Sequence, residues 1–202
     1  MIEVFDKLKK VFNHHGYRLY VIGGTSRDYL LKRELTDYDF VTDATPSEMK
    51  EFLTDANYRF EEYGSVRVKV DGIKVDLTTL RKEKSYADSR HPKEIIFVKN
   101  LNEDYVRRDF TINAIYIDEN YKIVDFCGGI SDLENKIIRF IGDPKERIKE
   151  DPLRIYRAKR FAQVLGFNIE EETEKAMDEL MGEVEKLNPE KIKEEMRKGL
   201  KI

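Results

Sequence analysis

A glycine pair followed by an aspartate pair is the part of this sequence best suited to chemistry. Gly23 and Gly24 directly follow a short apolar run, where two glycines let backbone N–H groups approach an anion with no Cβ in the way. Arg27 adds a planar fork of donors that suits phosphate oxygens. Asp37 and Asp39 are predicted to begin the next strand, in which side chains two residues apart project to the same face.

The two halves of this stretch together predict a site for a metal-bound nucleoside triphosphate. Two carboxylates at one edge supply hard oxygen ligands for Mg2+, which usually takes its remaining ligands from water and substrate phosphates. Each half also has an ordinary structural explanation, because a glycine pair can be a plain turn and an acidic pair a solvated surface or a helix cap. Their closeness within one strand-helix-strand unit favours the functional interpretation.

Composition limits the classes of protein to consider. The 202 residues are 40% hydrophobic and 38% charged, which is enough for one large or two small domains with a real core. The net charge of -3 excludes a uniformly basic nucleic-acid binder, so that RNA contacts would come from local patches. The only cysteine, Cys127, excludes an internal disulfide and predicts a cytoplasmic protein. No apolar run has the length of a membrane span, and the N-terminus indicates an amphipathic helix rather than a signal peptide.

The elements that must position the site follow from periodicity and turn residues. Residues 3–15 are predicted to form a helix, and a second helix is predicted at 48–53 after a Thr or Ser cap. Alternating residues on both sides of Asp71-Gly72 predict a hairpin with a two-residue turn. Its polar face carries Asp76, which is either a third carboxylate of the metal site or a solvated acid on an exposed face.

Several strings resemble the signature motifs of one family, the class II tRNA nucleotidyltransferases, which comprise CCA-adding enzymes and bacterial poly(A) polymerases. They are GG-x-x-RD-x-LL-x-R from Gly23, D-x-D-x-V-T from Asp37, and R-R-D-F-T-I-N-A from Arg107 to Ala114. The resemblance implies an α+β fold with a DNA polymerase beta-like head, made of a small mixed sheet with flanking helices, followed by an all-helical neck. The expected boundaries are 1–138 for the head and 139–202 for the neck.

The resemblance also implies roles for particular residues. Arg108 would contact the incoming nucleotide, and Asp109 would set the local geometry. The string DLTTLR departs from the family's E-V-T-T-F-R at Asp76 and Leu80, and Asp76 is retained as a candidate catalytic residue. The polar segment 83–92 lacks periodicity, is predicted to be a loop, and is similar to the family loop that CC-only enzymes shorten or lose.

The segment EDPLRIYRAKR, residues 150–160, predicts a helix with charged residues on its apolar side. Asp151 and Pro152 form a good helix start, and Arg154 and Arg157 fall in the sector of the core residues, where charge indicates a cleft. An ionised Asp151 accepts hydrogen bonds and Arg154 donates them, an order that suits cytosine and adenine and opposes uracil and guanine.

The family's E-D-x-x-R motif is understood to read bases in this way. Arg157 and Arg160 resemble its further nucleotide-binding arginines, and the alternative for Arg160 is a solvated helix residue.

The function that the resemblance implies is template-independent addition of C and A to the 3' end of tRNA from CTP and ATP, with two-metal Mg2+ catalysis. Gly23, Gly24 and Arg27 would hold the triphosphate. Three alternatives remain open: poly(A) addition, addition of only CC or only A, and a non-catalytic RNA-binding module. The match covers head and neck but not the body and tail that grip tRNA in the family.

Overall fold

The protein is described by a computed structural model that covers residues 2–86, 92–184, 187 and 189–198. The chain forms two compact units. The first unit comprises residues 1–83, 95–107 and 113–126, and the second comprises 84–94, 108–112 and 127–202. The chain therefore passes between the units several times, and a head-neck division at residue 138 remains a prediction about domains.

The described part of the chain contains both α-helices and β-strands. The helices are α1 Ile2–His14, α2 Gly23–Leu30, α3 Pro46–Met49, α4 Leu101–Asp104, α5 Gly129–Glu134, α6 Pro144–Glu150, α7 Leu153–Leu165, α8 Glu171–Glu179, α9 Met181–Val184 and α10 Pro189–Lys198. The strands are β1 Leu19–Val21, β2 Asp39–Thr42, β3 Asn57–Phe60, β4 Ser65–Val70, β5 Ile73–Thr79, β6 Arg81–Tyr86, β7 Pro92–Phe97, β8 Tyr116–Ile117, β9 Ile123–Val124, β10 Ile137–Ile138 and β11 Asn168–Ile169.

A seven-stranded mixed sheet forms the centre of the first unit, in the order β3-β4-β5-β2-β1-β8-β9. β2 and β5 run parallel, with Asp39 opposite Asp76, and the other pairs are antiparallel. The α+β fold expected for the head is thereby confirmed.

Apolar residues cover one face of this sheet and pack against α1. The helix buries Val4, Phe5, Leu8 and Phe12 against the strands. The spacing of the apolar residues predicts that these four and Val11 share one face of the helix, which is confirmed except that Val11 is exposed. A Phe5–Phe40 pair joins the helix to β2 with ring centroids 5.2 Å apart. This packing fixes the face of β2 that carries Phe40 toward the core, so the alternate residues of the strand face away from it.

The β4-β5 hairpin has the predicted two-residue turn. Asp71 and Gly72 both have positive φ, 51° and 81°, and the strands pair from Val70 opposite Ile73 to Ser65 opposite Thr78. These dihedrals suit the right-handed twist of the flanking strands. The alternation of the sequence predicts that Ile73 faces the core with Val75 and Leu77, but Ile73 is the first residue of β5 and is 36% exposed.

The second unit is mainly helical and has its own aromatic core. Phe110 stacks on Phe140 with ring centroids 5.0 Å apart and meets Phe161 edge-on at 5.5 Å. Backbone hydrogen bonds from Thr111 to Arg139 and from Ile141 to Asp109 join residues 109–111 to 139–141. The region expected to be an all-helical neck also contains β11, which pairs in parallel with β10.

The segment 83–92 differs from the predicted loop. Residues through Tyr86 belong to β6, and β7 begins at Pro92, so the described ends of the segment are strands that form a two-stranded sheet. A polar sequence can form a strand of this kind when neither face needs to be apolar. Residues 87–91, with His91 among them, lie outside the described residues. Across the described parts of the chain, no helix combines the length and the apolar character needed to cross a membrane.

Candidate active site

Two of the predicted acidic residues, Asp39 and Asp76, lie side by side on the polar face of the first unit's sheet. β2 begins at Asp39 rather than at Asp37, which precedes the strand and is exposed. Tyr38 packs against the core and Phe40 is buried within it, as the alternation of the strand requires. Asp76 lies beside Asp39 on the adjacent parallel strand. Asp39 and Asp76 therefore project from neighbouring strands to the same side.

Thr25 fixes the backbone around the aspartate pair. Its hydroxyl donates to the carbonyl oxygen of Asp37 at 3.1 Å and accepts from the amide of Asp39 at 2.7 Å. Thr25 is fully buried on α2, so the helix that follows the glycine pair is tied to the strand that carries the acids. A single hydroxyl thus ties the backbone at both acidic residues to α2.

Gly23 gives the Asp39 carboxylate the space that it occupies. Gly23 has φ +69°, and a Cβ built on it would lie 3.3 Å from Asp39 Oδ2. Any L side chain would therefore be strained by the backbone and crowded by the acid. At Gly24 a Cβ would meet Arg27 Nη2 at 3.6 Å, an ordinary contact. The first glycine of the pair is required by local geometry, whereas the second is not.

Asp76 forms a two-pronged ion pair with Arg67 of β4. Arg67 Nε donates to Asp76 Oδ1 at 2.6 Å, and Nη2 donates to Oδ2 at 2.8 Å. The two residues are opposite each other in the hairpin. The hydrogen bonds and charge of Asp76 raise the pKa of the Arg67 guanidinium, and Asp37 and Asp39 add smaller contributions in the same direction. Arg67 therefore belongs to the same charged cluster as the three acids.

Arg27 is held inside the unit by two side chains. It is 7% exposed, and its Nε and Nη2 donate to the carboxylate of Asp28 at 2.9 and 2.8 Å. Its Nη1 donates to Asn113 Oδ1 at 2.8 Å. These contacts connect the glycine-arginine motif with the R-R-D-F-T-I-N-A string, since Asn113 belongs to the latter. The direct phosphate contact predicted for Arg27 remains a prediction.

In the second unit, Glu150 organises two buried arginines. Its Oε2 accepts from Arg147 Nη1 at 2.6 Å and from Arg154 Nη1 at 2.7 Å. Arg154 also donates to the carbonyl oxygen of Arg147 at 2.6 Å, and Arg147 Nη2 donates to that of Arg108 at 2.7 Å. Arg147 and Arg154 are 8% and 6% exposed. Arg154, which the sequence predicts to line a cleft, is thus partly neutralised by Glu150 of the preceding helix α6.

Asp151 occupies the junction between α6 and α7. Its Oδ1 accepts from the amide of Leu153 at 3.1 Å, and its carbonyl oxygen accepts from the amide of Arg154 at 3.0 Å. The helix starts one residue later than the sequence predicts, because α7 begins at Leu153 with Pro152 as its N-cap, and Asp151 is the C-cap of α6. Its predicted role in reading the base remains a prediction.

Asp109 and Arg157 form a second ion pair near this junction. Asp109 is 9% exposed and its Oδ1 also accepts from the amide of Phe110 at 2.8 Å. The carboxylate therefore joins the R-R-D-F string to α7, as expected for a residue that sets local geometry. Arg108 is half-buried. The nucleotide contacts predicted for Arg108 and Arg157 remain predictions.

Arg160 pairs with a glutamate of the last described helix and stacks on an aromatic ring. Its Nε donates to Glu195 Oε1 of α10 at 3.1 Å, and its guanidinium carbon lies 4.3 Å from the centroid of the Phe161 ring. The solvated helix residue considered as an alternative is therefore excluded, because the side chain is partly buried and paired. The contacts connect α7 to α10, and a nucleotide contact by Arg160 remains a prediction.

The donor set of the first unit fits a divalent cation. Asp37 and Asp39 offer carboxylate oxygens, Thr25 fixes both at the backbone, and Gly23 leaves room for the Asp39 carboxylate. Among the described residues, no group of three or more His, Cys, Asp or Glu side chains is arranged to hold a metal ion. A site with two carboxylates suits Mg2+, which is commonly bound by one or two carboxylates together with substrate phosphates.

Sequence reasoning missed four residues that shape these clusters: Thr25, Arg67, Asn113 and Glu150. Arg67 had a clear signal, because a two-residue turn at Asp71-Gly72 fixes the register that places Arg67 opposite Asp76. Glu150 is the first residue of the E-D-x-x-R motif, and Asn113 stands in the R-R-D-F-T-I-N-A string. Nothing local in the sequence indicated the hydrogen bonds of Thr25.

A mixed sheet carrying a glycine turn, a short helix and strand-edge aspartates defines a nucleotidyltransferase head. The family model described as Poly A polymerase head domain matches residues 19–139. The chain belongs to this family.

Individual relatives agree with that assignment. A CCA-adding enzyme of Staphylococcus haemolyticus is 42% identical over 202 residues, covering 98% of this chain and 50% of the relative. The crystal structure of the Bacillus stearothermophilus CCA-adding enzyme in complex with CTP superposes with a TM-score of 0.90 at 33% identity, over 98% of this chain and 48% of that one.

A tRNA nucleotidyltransferase complexed with a primer tRNA and an incoming ATP analog superposes with a TM-score of 0.78 at 32% identity, over 94% of this chain and 55% of that one. The chain spans about half the length of the curated relatives it matches.

Proposed function

We propose that this chain is the catalytic and nucleotide-recognising part of an enzyme that adds C and A residues to the 3' end of tRNA from CTP and ATP. The observation that carries the proposal is the arrangement of Gly23, Thr25, Asp37 and Asp39, in which a glycine turn and an acidic pair are fixed to each other. The relatives named CCA-adding enzyme support the choice of nucleotides and of tRNA.

The first unit would perform the transfer. Asp37 and Asp39 would hold Mg2+, with Asp76 beside Asp39 on the adjacent strand. When bound there, a divalent cation would lower the pKa of the primer 3'-hydroxyl and neutralise charge on the triphosphate. The backbone at Gly23 and Gly24 and the start of α2 would orient the triphosphate, and the Arg27 charge would attract it. Attack of the hydroxyl oxygen on the α-phosphorus would then release pyrophosphate.

The second unit would choose the base. Asp151 offers an acceptor and Arg154 a donor, which match the amino group and ring nitrogen of cytosine or adenine. Uracil and guanine would leave like groups facing each other, at a cost of about 1–3 kcal/mol for each unsatisfied group. The bonds of Arg154 to Glu150 and to the Arg147 carbonyl hold its guanidinium plane in one orientation. Arg108, Arg157 and Arg160 are proposed to contribute to nucleotide binding.

The test is a transfer assay on the 202-residue chain with tRNA that lacks its 3' CCA. Each labelled nucleoside triphosphate is supplied alone, then CTP and ATP together, and the products are sequenced. The expected product ends in CCA, with no incorporation from UTP or GTP. A long A tract would instead identify a poly(A) polymerase, and products that stop at CC or gain only A would identify a specialised enzyme. Absence of pyrophosphate release with every primer would contradict a catalytic role.

A further inference from the structure

The polar face of three neighbouring strands carries a positive charge among the three acids. Arg67 on β4 lies opposite Asp76 on β5, and Asp76 lies beside Asp39 on β2. Both prongs of the Arg67 guanidinium are engaged with both carboxylate oxygens of Asp76, at 2.6 and 2.8 Å. The oxygens that Asp76 would offer to a metal ion are thus the ones that accept from Arg67.

The pair is accessible enough to exchange. The side chains of Arg67 and Asp76 are 56% and 39% exposed. Exposed ion pairs contribute little net stability even when their geometry is good, because water competes for both charges. A divalent cation can therefore compete with the guanidinium for Asp76. Arg67 has the advantage in this competition, because the pairing of β4 with β5 holds it opposite Asp76.

We propose that Arg67 is a positioning residue that acts as a tethered counter-ion, withholding Asp76 from the divalent cation and restricting the metal site to Asp37 and Asp39. This inference rests on the proposed function, because it assumes the cation site at the aspartate pair. It gives Asp76 an indirect role: its carboxylate aligns Arg67 beside the acids instead of ligating the metal.

Replacement of Arg67 by valine tests the inference by direct metal binding. Valine suits the strand because β-branched residues favour strand conformation. Mn2+ is titrated into the full chain without nucleotide, and free Mn2+ is measured by electron paramagnetic resonance. Spectra in 17O-enriched water count the water molecules bound to Mn2+. We expect Arg67→Val to bind Mn2+ about fivefold more tightly and with one fewer bound water, because Asp76 becomes a ligand.

Two variants separate a released ligand from a general change in charge. The double variant Arg67→Val with Asp76→Asn has the net charge of the wild type, and we expect its affinity and water count to return to wild-type values. Lys69→Val removes a positive charge from the same face of β4, where Lys69 is opposite Lys74, and it should leave the water count unchanged. Circular dichroism melting of each variant confirms that it is folded.

Several outcomes would overturn the inference. Unchanged Mn2+ affinity in Arg67→Val would show that the pair does not limit the site, and tighter binding without loss of a bound water would show an effect of charge alone. Asp39→Ala identifies failure of the proposed function itself. If Asp39→Ala binds Mn2+ as tightly as the wild type, the cation site lies elsewhere and both proposals fail. If Asp39→Ala loses Mn2+ binding, the cation site is supported, and the result for Arg67→Val then tests the role of Arg67 alone.

Discussion

The charged clusters of the two units are built in opposite ways. In the first unit, Asp37 precedes β2, Asp39 begins it and Asp76 lies within β5; all three are at least partly exposed, and Arg67 is paired with Asp76. In the second unit, Arg147 and Arg154 are less than one-tenth exposed and share the carboxylate of Glu150. Acidic charge is left in excess in one cluster, whereas each of these arginines has an internal partner in the other.

The difference indicates what stabilises the charge of each cluster. Neighbouring carboxylates repel each other, so an excess of them on one face is stabilised by a cation that the protein does not itself supply. Buried arginines require internal acceptors, because leaving a charge unpaired in the interior would be costly. The first cluster is therefore suited to binding a metal ion, and the second is suited to presenting donors in a fixed orientation.

The largest effect is expected from Asp39→Ala. The substitution removes a carboxylate from the open cluster, and nucleotide transfer to tRNA should fall by about a thousandfold or more, because the lost metal contact stabilises the transition state. Rates are measured with labelled CTP in single-turnover conditions. Asp71→Asn is the matched control, since it changes an exposed acid in a turn that accepts Asn. Retained CMP incorporation by Asp39→Ala would refute the metal role.

The next largest effect is expected from Asp151→Ala, in the second cluster. Loss of the acceptor should reduce the preference for CTP and ATP over UTP and GTP by about tenfold to a hundredfold, because wrong bases no longer face an opposed partner. The ratio of kcat/KM values for the four nucleotides measures it. Asp178→Ala, at an exposed position of α8, serves as the control. An unchanged preference would remove Asp151 from base recognition.

A smaller effect is expected from Asn113→Ala, which removes the acceptor of Arg27 Nη1 in the first unit. The buried guanidinium loses one of its fixed contacts, and KM for the nucleotide should rise about fivefold with a smaller change in kcat. Asn120→Ala changes an exposed asparagine in the same unit and should leave KM unchanged. Equal KM values for Asn113→Ala and the wild type would indicate that Arg27 does not depend on this bond.

The smallest effect is expected from Glu150→Gln, and it concerns stability. The substitution weakens charge-assisted bonds to Arg147 and Arg154, and should lower the free energy of unfolding by about 1–2 kcal/mol. Urea unfolding measures the change. Glu146→Gln breaks an ion pair with Lys149 in which both side chains are more than half exposed, and should cost under about 0.5 kcal/mol. Equal losses of unfolding free energy in the two variants would show that the Glu150 cluster stabilises the protein no more than an exposed ion pair does.

The local rules of sequence interpretation succeeded where the chain itself sets the geometry. Alternation placed Phe40 in the core and Asp39 on the opposite face, and the turn at Asp71-Gly72 set the register of the hairpin. The same rules predicted a helix start at Asp151 and Pro152, one residue before the observed one, since α7 begins at Leu153 with Pro152 as its N-cap. They were wrong for the described residues of 83–92, because a polar strand has no apolar period to reveal it.

The sequence by itself determined which residue types occur together: a glycine pair with two aspartates, and an aspartate with arginines at helical spacing. Only the tertiary structure decided how those charges are partnered. Thr25 meets the aspartate pair from another element, Asn113 reaches Arg27 across 86 positions, and Arg108 accepts from Arg147 across 39. Such contacts depend on how strands and helices pack, which no local period encodes, because hydrogen bonds between distant segments follow from folding of the whole unit.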